Sequence, residues 1–140
     1  MEVIVMMYLA VLSLEDICRK ELPVWQIVLG LLAAIILTAV QWKGSFQEIW
    51  IMLLGLLPAL VFLAAAGISK EQIGYGDGLL LLPLGMVLGF ERTAWMVLWA
   101  LSLAAVCALT LLVLYRRKKG LTIPFVPFLF AGYVLTGGMI

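Results

Sequence analysis

The feature that most restricts what this chain can fold into is a succession of apolar runs with almost nothing polar inside them: Val24 to Val40, Ile49 to Ile68, Ala94 to Tyr115 and Leu121 to Ile140. A run of roughly 20 residues, wound into a helix, matches the hydrocarbon layer of a bilayer. Lipid offers a bare backbone no hydrogen-bond partner, so the chain must satisfy its amides internally, as a helix does. Two shorter runs, Met1 to Ile17 and Gly78 to Phe90, bring the segments to six. Of the 140 residues 66% are apolar and 12% charged, and the mean hydropathy is +1.21. The expectation is an all-α, polytopic membrane protein of about six transmembrane helices, forming a single domain over residues 1–140.

Smaller features refine this picture. Met1 to Ile17 carries Glu2 where a signal peptide has a basic region, and no small-x-small cleavage site follows it, which predicts a retained first helix. Pro58 predicts a kink in the third segment, and Trp50 an anchor at the membrane interface. The fourth segment contains Pro83 and the spacing Gly85-x-x-x-Gly89, which suits close helix packing. In the fifth, Ala100, Ala104 and Ala108 recur every four residues and mark a second packing face.

Six spans place Arg19, Lys20, Lys70 and Arg116 to Lys119 in loops on one side, and only Lys43 and Arg92 on the other. Because basic loops stay in the cytoplasm, the first side is expected to be cytoplasmic, with both termini outside. The basic run Arg116-Arg117-Lys118-Lys119 then reads as a topology signal. A net charge of +1 argues against nucleic acid as a partner, since phosphate binding needs concentrated Lys and Arg. The bilayer is the partner that composition implies. Cys18 and Cys107 form no metal-ligand or disulfide pattern, and neither a metal nor a cofactor is expected.

Two polar clusters carry the chemistry. Asp77 stands in Gly74-Tyr75-Gly76-Asp77-Gly78, at the edge of Leu79-Leu80-Leu81-Leu82, where a charge drawn to the bilayer centre costs about 2.5 to 3.5 kcal/mol or more. One reading makes Asp77 the N-cap of the helix that follows, with the glycines as its turn. The other makes it functional. Asp16 lies in Glu15-Asp16-Ile17-Cys18-Arg19-Lys20-Glu21-Leu22-Pro23, where Glu15 with Arg19 and Asp16 with Lys20 are spaced for weak helix-surface ion pairs. The charge count puts Asp16 and Asp77 at the same membrane face. Two neighbouring carboxylates in a low-dielectric setting share one proton and titrate as a unit. Such a pair can activate a water against a peptide carbonyl, one member accepting a proton while the other donates. With no histidine in the chain, Ser-His-Asp and Cys-His mechanisms are excluded. The adjacent Ser69 and Lys70 would point apart on a helix, and no phosphate-binding glycine motif occurs.

These residues resemble the type IV prepilin peptidases, members of the GxGD group of intramembrane aspartic proteases. Gly74-Tyr75-Gly76-Asp77 is similar to the motif that names the group, and Leu79, Leu80, Gly85 and Gly89 fit its pattern of an apolar helix with paired glycines. Asp16, Arg19, Lys20 and Pro23 are similar to the context of the family's first aspartate, and Pro124, Phe125, Pro127 and Phe128 to its C-terminal segment. Leu79 and Val24 depart from the pattern at positions where a lysine and a polar residue are common.

The resemblance implies an aspartic endopeptidase of the inner, cytoplasmic membrane that removes the basic leader of type IV prepilins or pseudopilins at the cytoplasmic face, in pilus assembly or protein secretion. It makes Asp16 and Asp77 the catalytic pair. Gly74, Tyr75, Gly76 and Gly78 would form the motif that lets a substrate backbone approach Asp77. Glu15, Glu21 and Glu71 are candidate contacts for the leader's basic residues. Longer relatives carry an N-terminal extension with a cysteine metal site and also methylate the product; with Asp16 already in the first helix, no methyltransferase activity is expected here. Two alternatives stand beside this reading: a GxGD peptidase for preflagellin-like or other leaders, and a non-enzymatic helical bundle.

Overall fold

A computed structural model describes residues 2–19, 22–68, 74–115 and 123–139, and all the regular structure among them is helical. The described residues form six helices in order: α1 (Glu2–Arg19), α2 (Val24–Gln41), α3 (Phe46–Gly55), α4 (Leu57–Ile68), α5 (Tyr75–Leu114) and α6 (Val126–Met139). Among the described residues three stretches are long and apolar enough to cross a membrane: Val24–Gln41, Phe46–Ile68 and Tyr75–Leu114. The chain divides into two compact units, Met1–Glu21 with Trp95–Ile140, and Leu22–Ala94.

Within Leu22–Ala94 the helix ends follow from local chemistry. Pro23 precedes α2 with extended backbone, and its fixed φ leads directly into the helix. Ile27, Gly30 and Ala34 form the buried stripe of α2, while Val28, Leu29, Leu32, Ile35 and Ile36 are exposed. A helix that leaves that much aliphatic surface uncovered is built to face lipid. Helix α3 begins at Phe46, earlier than the apolar run at Ile49 indicates. Ser45 precedes it, and Glu48 reaches back so that its Oε2 accepts the backbone N–H of Lys43 at 3.0 Å. This is a variant of the Ser-x-x-Glu start signal.

The kink expected near Pro58 falls at Leu56, between α3 and α4, where the backbone keeps a right-handed helical φ of −77° and ψ of −18°. Pro58 has no N–H to offer Leu54, and its ring crowds that carbonyl, so the helix gives way just before it. Pro83, by contrast, is carried inside α5, which breaks instead at Gly89, where φ is 78° and ψ 176°. Glycine alone enters that region without strain. The expected separation between the fourth and fifth segments is therefore present, made by Gly89.

The spacing Gly85-x-x-x-Gly89 does pack closely, and its partner is Gly55 at the end of α3. A Cβ on either Gly55 or Gly85 would collide with the carbonyl oxygen of the other, and one on Gly55 would also lie 3.2 Å from Gly89 Cα. The two backbones cross with no room for a side chain.

The other unit pairs α1 with α6. Val5, Leu9, Leu12, Ser13 and Asp16 are the buried face of α1, a 3.6-residue stripe that ends on a carboxylate. At the far end of the pair, Tyr133 Oη donates to the carbonyl of Glu2 at 3.2 Å, so the helices run antiparallel. Helix α6 also lies on α5. A Cβ on Gly132 would stand 3.2 Å from Ala100 N and 2.5 Å from Met96 O. Of the expected alanine face, Ala100 is fully buried, whereas Ala104 is half-buried and Ala108 exposed.

Candidate functional site

Asp16 is 6% exposed, the last member of the buried stripe of α1. Its Oδ2 accepts the backbone N–H of Val126 at 3.1 Å, a bond between residues 110 apart in sequence. The Phe125 amide also acts on the carboxylate. Val126 opens α6, so the carboxylate meets the positive end of that helix. Burial disfavours the charge while the amides favour it. An ion pair with Lys20 falls outside the described residues.

Asp77 has different surroundings. It is half-buried and is the third residue of α5, so it is not the cap: Gly74 stands immediately before the helix. The Asp77 backbone N–H bonds the Gly74 carbonyl at 3.2 Å. The carboxylate curls back toward Gly74, where a Cβ would meet Oδ2 at 3.0 Å. An acidic side chain in the first turn is favoured by the helix dipole. Asp77 therefore needs the space that Gly74 leaves.

The other motif residues divide by what lies beside them. Tyr75 is 46% exposed, and its Oη sits 3.4 Å from where a Cβ on Gly67 would stand. A Cβ on Gly76 would make ordinary contact with Leu22 Cδ1, at 3.5 Å. Gly78 is buried, and a Cβ there would strike Leu63 Cδ2 at 2.7 Å and Cγ at 2.9 Å. The space beside Gly78 thus belongs to helix α4, so this glycine serves packing. Gly74 and Gly76 are the motif glycines that a helix does not fill.

Of the three glutamates expected near the leader, Glu15 is half-buried, with an Oε2 that is buried and has no hydrogen-bond partner among the described residues. That is unlike a solvated surface pair with Arg19, which is exposed. Glu21 and Glu71 lie outside the described residues, as do Lys20, Lys70 and Arg116 to Lys119. Val126 is the contributor that side-chain reasoning does not reveal. The only trace in the sequence is that Pro124 and Pro127, which have no N–H, bracket the two amides of residues 125 and 126.

Neither a curated protein nor a solved structure matches the chain. A family model does, over residues 3–112, a stretch that holds both Asp16 and Asp77 and stops short of α6. On that match the chain belongs to the type IV leader peptidase family, a family of proteases.

Proposed function

We propose that this protein is an aspartic endopeptidase of the inner membrane that removes the basic leader from type IV prepilins or pseudopilins at the cytoplasmic face, with Asp16 and Asp77 activating the attacking water. The observation that carries the proposal is the contrast between the two carboxylates inside one family-matched stretch. Asp16 is buried on backbone amides, and Asp77 is half-exposed at a helix start among glycines. A hydrolytic pair needs that inequality, because one member must take a proton from water while the other gives one to the carbonyl oxygen. The balance closes as the C–N bond breaks: the aspartate that took water's proton passes it to the departing amine nitrogen, and a hydroxyl of the gem-diol returns a proton to the other carboxylate, leaving the pair singly protonated again. Acidification that protonates both members removes the base and stops the reaction.

Six spans with both termini outside remain the topology proposed here, supported by the loop charges. The test is cleavage of a prepilin with a basic leader by the protein in lipid vesicles, followed by mass, for the unmodified chain and for Asp16→Asn and Asp77→Asn separately. Loss of roughly 100-fold or more in each variant is expected, with normal insertion. Retained cleavage in either inserted variant overturns the pairing. No cleavage by the unmodified chain favours the non-enzymatic bundle, and preference for a preflagellin leader favours the other substrate class.

A further inference from the structure

Helix α6 begins beyond the end of the family match, at Val126, yet it supplies a hydrogen bond to Asp16 from 110 residues away. The backbone around that bond is arranged for it. Pro124 and Pro127 carry no N–H, so Phe125 and Val126 hold the only amides in residues 124–127, and both act on the Asp16 carboxylate. The Phe125 carbonyl accepts from Phe128 N at 3.0 Å and Leu129 N at 3.1 Å, which closes the first turn and fixes where the amides aim. Val126 and Leu129 are fully buried. Gly132 sets α6 against Met96 and Ala100, and Tyr133 ties it to Glu2, so the donor rests on a held helix.

We infer that the first turn of α6, through the backbone N–H of Val126, is the positioning element for Asp16 in leader-peptide hydrolysis. The inference rests on the proteolytic reading above. Its content is that α6 commits Oδ2 of Asp16 to the main chain and so fixes the direction in which the rest of the carboxylate works. Among the described residues, the charged neighbours that accompany this bond are few. On α1 they are Glu15 and Arg19. Helix α6 and the Trp95–Leu114 part of α5 have no Asp, Glu, Lys or Arg, and their titratable side chains are Tyr133 and Cys107.

Proline is well accepted as the first residue of a helix, so Val126→Pro deletes the N–H at a permissive position, though its ring carbon then faces Oδ2 where the hydrogen stood. Val126→Ala removes as much packing but keeps the N–H. Replacing residue 126 by the α-hydroxy analogue of valine, by nonsense suppression, exchanges N–H for oxygen with the side chain unchanged. Cleavage of the prepilin in vesicles is then measured against pH for each inserted protein. For the proline and ester variants the expected result is a loss of about tenfold in kcat with KM little changed. A carboxylate that loses a donor ionises less readily, so the acidic limb of kcat/KM should also move up by about one pH unit. Val126→Ala should keep the original limb. If the ester variant cleaves with the unmodified kcat and pH profile, the inference is overturned, whether or not the proline variant inserts. That result is separable from failure of the protease itself, which appears as no cleavage by the unmodified chain or as retained cleavage in Asp16→Asn.

Discussion

Replacing Gly85 by alanine tests the backbone crossing of α3 and α5 most directly. The added methyl would project into the Gly55 carbonyl, with Gly55 C at 2.9 Å and Leu56 N at 3.6 Å from it. All of these are main-chain atoms, so no side chain can rotate away. Carbon and carbonyl oxygen rest at about 3.3 Å or beyond, and reaching that separation requires the helices to part by about 1 Å. Overpacking in a well-filled interior costs about 1–3 kcal/mol, and an immovable partner places this substitution near the upper end. Gly55→Ala meets the same obstacle from the other side. Once the helices have parted, the second methyl finds room, so the double variant should cost clearly less than the sum of the singles. The assay is unfolding in mixed micelles with increasing SDS, with Gly137→Ala as reference, since nothing lies within 4 Å of a Cβ there. If Gly85→Ala unfolds within about 0.5 kcal/mol of the unmodified protein, or if the two singles add, the crossing as described is wrong.

Other substitutions probe the site. Gly74→Ala should lower prepilin cleavage by roughly tenfold while leaving SDS resistance unchanged, because the new methyl meets only the Asp77 carboxylate, at 3.0 Å from Oδ2; equal losses in stability and cleavage would count against it. Gly78→Ala should do the reverse, costing about 1 kcal/mol as Leu63 is pushed aside, with kcat lowered less than in Gly74→Ala; a larger kcat loss at 78 than at 74 would contradict the division of the glycines made above. Neutralising Glu15, Glu21 and Glu71 together should raise KM for a leader rich in Lys and Arg and flatten its salt dependence; an unchanged salt response would remove these glutamates from leader recognition.

Much of the helical layout was legible in the sequence because membrane helices depend mainly on apolar length. The apolar run Val24 to Val40 matches α2 to within a residue, and Gly85 and Gly89 announced a close crossing. The partner of that crossing was not legible, since Gly55 lies within the Ile49 to Ile68 run with no pattern of its own. Nor was the break between the fourth and fifth segments assigned to Gly89, because a packing glycine and a φ-permissive glycine look alike in one dimension. The start of α3 was readable in principle from Ser45 and Glu48, which apolar counting passed over. At the site, Asp16 and Asp77 stood out because charge is scarce in such a chain. The reading of Asp77 as a cap exchanged it with Gly74, which lacks a side chain to advertise the position. What binds Asp16 is 110 residues away and consists of an amide that nearly every amino acid carries.

That last point bears on how the region would respond to evolution and to screening. A donor built from the main chain tolerates almost any substituent at 126 that fits the packing, so natural variants there can drift in size while the function persists. Scanning one residue at a time with alanine would record a buried aliphatic and nothing more. Only an imino acid or an altered peptide link would expose the dependence.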